Sequence, residues 1–148
     1  MITYDELHTQ NHKITELTNI LHHLLGDRSL CDSDVTCDLF FDFVDQVKEH
    51  LEITDSELYS KLLTSGDPKA RNTAQRFMGG SKEIKRIFAA YLKKWCKLRS
   101  KKLVIKEYDQ FMRETNEMFD MVLQRIQDET ERLYPLVREV TGDERQVA

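Results

Sequence analysis

Apolar residues recur at helical spacing in four long stretches of this chain, and the segments between them are too short to hold much else. Leu7, Ile14, Leu17, Ile20, Leu21, Leu24 and Leu25 mark the first stretch; Val35, Leu39, Phe40, Phe43, Val44, Val47, Leu51, Leu58 and Leu62 mark the second. Ala74, Phe77, Ile84, Ile87, Phe88, Tyr91, Leu92, Trp95 and Leu98 form the third; Tyr108, Phe111, Thr115, Met118, Phe119, Val122, Ile126, Leu133, Leu136 and Val140 form the fourth. Each stripe gives a helix one face to bury. With 5 glycines and 2 prolines in 148 residues, the chain lacks the turn formers that many short strands require. The expectation is all-α: one domain over residues 1–148, an antiparallel up-down four-helix bundle with helices at about 4–25, 34–64, 68–99 and 104–141.

Local signals place the ends. Thr3 with Glu6 three residues on reads as a capping box, and Gly26 as a stop. Asp67-Pro68 reads as a start, because Asp caps free amides and Pro is pre-set for the first helical position. Gly79-Gly80 predicts a local kink or a close helix approach. Pro135 predicts a kink or a separate last turn, since it removes an amide donor and crowds the preceding turn. The basic run from Lys93 to Lys102 suits the negative end of a helix dipole and is read as a solvated helix end. A weak repeat aligns His50–Leu62 with Arg125–Val137 at an offset of 75 residues, sharing Leu-Tyr at Leu58-Tyr59 and Leu133-Tyr134.

Composition narrows the functions. Lys plus Arg number 22 against 26 Asp plus Glu, a net charge of -4 that gives nucleic-acid backbones and anionic membranes little to hold. No apolar run approaches the roughly 20 residues of a membrane span, and the N-terminal residues lack the basic and apolar regions of a signal peptide. The expected location is the cytoplasm. Cys31, Cys37 and Cys96 form no CxxC pair, which fits reduced thiols better than a disulfide framework or a zinc site. A Gly-rich phosphate loop and an assignable Ser-His-Asp set are both missing, so an enzyme is not expected. Adjacent Phe40 and Phe41 cannot face one direction, which makes one of them a candidate contact in a homodimer.

The candidate chemistry lies in histidines and carboxylates. His12 and Glu16 are four apart on the first helix, where both can point inward, and His50 sits midway along the second. Bundle cores hold metal sites built from His and Glu on facing helices. Taken with QNHKITEL, VKEHLEITDSELYSKLL, FMGGSKEIKRIFAAYLKKW and MVLQRIQDETERLYPLV in the four helices, the chain resembles the hemerythrin-like family, also called HHE cation-binding domains. That resemblance implies a four-helix bundle and a non-heme di-iron centre. Its ligands would be a His from helix one, His-x-x-x-Glu from helix two, a His from helix three and His-x-x-x-Glu from helix four.

Carried over by position, His12, His50 and Glu129 match ligands, while Thr54 (with Asp55 beside it), Ser81 and Arg125 stand where a Glu and two His are expected. Hydroxyls are poor iron ligands, and a guanidinium has no lone pair to offer and stays charged. Arg125 is therefore expected to reach into the former site and pair with Glu129 or Glu16, the other reading being a surface pair with Glu129 or Asp128. Two functions follow. One is a metal-free regulatory or interaction module, without cofactor, whose partner is another protein. The alternative is a remodelled site in which His12, Glu16, His50, Asp55 and Glu129 hold iron or another metal for oxygen, nitric oxide or metal sensing, with His8 one turn from His12.

Overall fold

In the computed structural model, residues 3–142 are described, apart from the side chain of Tyr4. Helix α1 spans Tyr4–Leu25, and its Thr3 cap forms both hydrogen bonds of the capping box with Glu6. A short 3₁₀ turn, Arg28–Leu30, leads to Ser33, whose side chain caps α2, Asp34–Ile53. From there the chain widens into a π turn, Thr54–Leu58, and re-tightens as α3, Tyr59–Leu63, in one continuous rod. Asp67 caps α4, Pro68–Trp95, with Pro68 in the first turn as the sequence predicts. The last rod is α5, Tyr108–Asp128, a second π turn, Glu129–Leu133, and α6, Tyr134–Thr141, closed by Gly142 at φ 66°.

Two boundaries differ from expectation. The third helix stops at Trp95 instead of running to about residue 99, and the basic run becomes a small hairpin. In it β1, Cys96–Lys97, pairs antiparallel with β2, Lys102–Leu103, through a turn that holds Lys101 at φ 52°. The fourth helix accordingly begins at Tyr108, under a Glu107 cap, and not near residue 104. A row of lysines is compatible with either conformation, so only the buried anchors Trp95 and Leu103 distinguish them.

Four rods joined by short connections alternate in direction, and the burial pattern shows it. One apolar core gathers the C-terminal half of the first rod, the N-terminal half of the second, the C-terminal half of the third and the N-terminal half of the fourth: Leu21, Phe40, Phe43, Phe88, Trp95 and Phe111 are among its members. A second gathers Leu7, Leu58, Tyr59, Leu62, Ala70, Ala74, Leu133, Tyr134 and Val137 from the opposite ends. This is the expected all-α bundle. Phe40 and Phe41 are both buried, their rings packed edge to face at 5.5 Å, so neither is the exposed contact residue that their adjacency suggested. Among the described residues, no helix is long and apolar enough to cross a membrane.

The weak repeat has a structural counterpart. The two π turns lie 75 residues apart, at Thr54–Leu58 and Glu129–Leu133, and each is closed by the amide of a buried tyrosine, Tyr59 or Tyr134, bonding the carbonyl five residues back. Pro135 sits just after the second widening, in the first turn of α6, where its missing amide does no harm. No proline follows the first turn, so proline alone does not cause them. Widened turns of this kind concentrate at functional positions in helical proteins.

Candidate functional site

Between the two apolar cores lies a thin polar layer. Its centre is Glu129, fully buried at the start of the second π turn. His50 from α2 donates from Nε2 to Glu129 Oε1 at 2.6 Å, and Arg125, one turn before Glu129 on α5, donates from Nε to Oε2 at 3.0 Å. Both carboxylate oxygens are thus engaged. The other side of the His50 ring meets the side-chain amide of Gln10 at 3.1 Å.

Arg125 is held on every side. Its Nη2 donates to Phe77 O at 2.8 Å and to the Tyr59 hydroxyl, and its guanidinium stacks 4.7 Å from the centre of the Phe77 ring. One guanidinium and one carboxylate balance in charge within the layer, and their hydrogen bonds offset part of the cost of burying both. Tyr134 flanks Glu129 and receives a hydrogen bond from Asn11 Nδ2 at 3.1 Å. Burial pushes the hydroxyls of Tyr59 and Tyr134 up from their ordinary ionisation range; the Arg125 guanidinium opposes the shift at Tyr59, and the Glu129 charge adds to it at both.

Arg125 explains one of the two adjacent glycines. A Cβ on Gly80 would stand 2.8 Å from Arg125 Nη1, while one on Gly79 would meet nothing within 4 Å. Helix α4 runs through both without a break, so the pair marks a close approach and not a kink. Gly79→Ala is accordingly expected to stabilise the protein by up to about 1 kcal/mol through helix propensity. Gly80→Ala should destabilise it by about 1–3 kcal/mol through overpacking against a pinned side chain, and this loss should largely vanish beside Arg125→Met. Urea midpoints of the four variants check both statements. Equal effects at the two glycines would mean that Arg125 is not fixed as described.

The sequence-matched positions divide sharply. His50, Glu129 and Arg125 come together as expected, with Arg125 inside and not on the surface. Thr54 is buried but turns its hydroxyl back onto Leu51 O, 3.0 Å away. Ser81 is buried on α4 and donates to Asp55 Oδ1 at 3.2 Å, while the other Asp55 oxygen is bound by Lys85. His12 does not join them. It lies on the solvent face of α1, 3.1 Å from Glu16 in an exposed pair, because the buried stripe of this helix runs through Leu7, Asn11, Ile14, Thr18, Leu21 and Leu25. His12 and Glu16 fall outside that stripe. The residues that face the layer from α1 are Gln10 and Asn11, and sequence reasoning passed over them, as it did Tyr59, Phe77 and Lys85.

A di-iron centre does not fit this donor set. His50 and Glu129 are the two donors present, a cation occupies the space between them and α4, and the cavity remaining beside them is about 10 Å³, about one water-sized probe. Among the described residues, no group of three or more His, Cys, Asp or Glu is placed to hold a metal ion. The buried pairing of a ligand-type His with a ligand-type Glu across α2 and α5 nonetheless marks the layer as the position of such a centre. Compared with known proteins, the chain matches the family described as hemerythrin HHE cation binding domain over residues 2–137. No curated protein and no solved structure matches it. Because that match takes in all four rods and both π turns, the chain belongs to the hemerythrin HHE cation-binding domain family.

Proposed function

We propose that this protein is a metal-independent, non-enzymatic member of its family that acts as a regulatory or protein-interaction module, with the Arg125 guanidinium taking the place of the metal. One observation carries the reading: Arg125 is bound to Glu129 at the centre of the layer and is held there by Tyr59 and Phe77. A permanent cation that cannot be deprotonated supplies the countercharge that iron supplies elsewhere, without redox chemistry or an open coordination position. Glu129 and His50 then serve as structure. The alternative of a remodelled metal site draws no support from the geometry, since His12 and Glu16 face solvent and Asp55 is engaged by Lys85 and Ser81. A cytoplasmic setting suits the three free thiols of Cys31, Cys37 and Cys96, the last pushed up to about 12 by burial and therefore unreactive as a nucleophile at neutral pH.

The test is elemental analysis with a visible spectrum on protein purified without chelators from iron-supplemented cells. The expected protein is colourless, folded and free of stoichiometric iron; about two irons per chain with visible absorbance would overturn the proposal. A constructive counterpart replaces Arg125→His, Thr54→Glu and Ser81→His, with Asn11→His supplying the α1 donor that exposed His12 cannot. This variant is expected to bind iron and turn coloured. A folded variant without iron would show that these positions do not converge on one centre.

A further inference from the structure

The proposed function leaves the partner unspecified, and the basic run is the one sequence motif that the polar layer does not absorb. The structure gives it a place. Helices α2 and α4 and the β1–β2 hairpin enclose an open groove of about 1100 Å³. Its floor is apolar, formed by Leu51, Phe88, Ala89 and Leu92, and Leu98 projects half-exposed from the hairpin at one end. From Lys85 to Lys93 the α4 wall covers just over two turns, about 12 Å of helix, and the hairpin from Cys96 to Ser100 continues it.

The charges around the floor are mainly positive. Lys48 lines the α2 wall, while Lys93, Lys97 and Arg99 line the α4 and hairpin side. Within the basic run, Lys94 is taken up by Glu114 and Lys102 by Asp34, both outside the groove. Among the described residues, none of the ion pairs within 4.0 Å involves Lys48, Lys93, Lys97 or Arg99. The groove's acids are Asp55, which Lys85 neutralises, and Glu52. A chain of net charge -4 thus keeps four unpaired cations on the rim of this apolar depression.

We propose that this groove is the docking site for an acidic amphipathic helix of a partner protein; the proposal rests on the reading of this chain as an interaction module. An apolar stripe at i, i+3, i+4 and i+7 would cover the floor, and carboxylates flanking the stripe would meet Lys48 on one wall and Lys93, Lys97 and Arg99 on the other. A single-headed anionic amphiphile would neutralise one of these four cations and leave the rest unmatched, so a helix with several acids is the better complement.

The probe is a fluorescein-labelled helix of about 18 residues with a leucine stripe flanked by glutamates, read by anisotropy against the full chain. A second peptide carries lysines in place of the glutamates, and phosphatidylglycerol vesicles form a separate arm. The acidic peptide is expected to bind, to lose about tenfold in affinity with Lys93→Glu/Lys97→Glu, and to weaken with salt. That variant, both of whose substitutions are on exposed residues, is expected to keep its helical circular dichroism and to prefer the basic peptide. No binding of the acidic peptide, or equal binding to both proteins, would overturn the proposal. So would vesicle binding that the variant loses without any preference between the peptides, which would assign the groove to a membrane surface. Iron content on the same preparation reads the module proposal independently: a metal-free protein without peptide binding overturns the groove alone.

Discussion

Arg125→Met is expected to destabilise the folded protein by about 3–5 kcal/mol, the range for removing one member of a buried ion pair, and to lower the melting temperature by on the order of 10 °C. The loss would not come mainly from the missing hydrogen bonds. Glu129 is fully buried, and without Arg125 it keeps its charge with only His50 to face, or must take up a proton. The decisive comparison is His50→Leu/Arg125→Met/Glu129→Leu, which replaces the buried ion pair and its histidine by apolar side chains. This variant should recover most of the stability that the single substitution loses, because well-packed apolar groups replace buried pairs at little cost. Thermal and urea unfolding of the two proteins would decide. An unchanged melting temperature for Arg125→Met would mean that the guanidinium does not hold the layer together.

The second large effect lies at high pH. Tyr59, Tyr91 and Tyr134 are buried, and burial raises all three hydroxyls above their ordinary range, while Cys96 is pushed up to about 12. For each group the folded state holds a proton that the unfolded chain releases. Their contribution to stability is therefore intact below the unfolded values of about 8.5–10 and falls as the pH rises from there toward the folded values. Each such group removes about 1.4 kcal/mol per pH unit between its unfolded and its folded value, and several together are large against a total stability of about 5–15 kcal/mol. Cooperative unfolding is expected between about pH 11 and 12.5. Tyrosinate absorbance should rise with the loss of helical circular dichroism, in the same step. Smooth titration of all five tyrosines near pH 10 with the helices intact would contradict the burial of these rings.

Much of the architecture was legible because the signals that set it are local. The Thr3–Glu6 capping box, the Asp67-Pro68 start and the four apolar stripes each act over a few residues and appear where they are expected, except that Ile20, Val35 and Leu98 of the stripes are exposed. The hairpin was not legible, since lysines and one leucine suit a helix end as well as a strand, and its position depends on Leu103 finding the core from eight residues beyond Trp95. At the site, the substituted positions Thr54, Ser81 and Arg125 were correctly placed at the buried layer. His12 has the residue type of a ligand but not the helical phase: the stripe through Leu7, Asn11 and Ile14 singles out its neighbour. Tyr59 could have been found from the Leu-Tyr repeat, whose two copies proved to end the two π turns.

Those two turns also bear on how the rods tolerate a change in residue number. A π turn takes in one residue more than the α-helix it interrupts while turning through about the same angle, whereas one residue added to or removed from a regular helix corresponds to about 100° of rotation. Deleting a residue among Asp55, Ser56 and Glu57, all at least partly exposed, would therefore close the turn to a regular helix whose continuation keeps its facing. Leu58, Tyr59 and Leu62 would stay in the second core, and the same holds for Leu133, Tyr134 and Val137 after a deletion between Thr130 and Arg132, while a deletion earlier in either rod would swing them out together. These two windows are where a chain of this kind can lose a residue without losing its core.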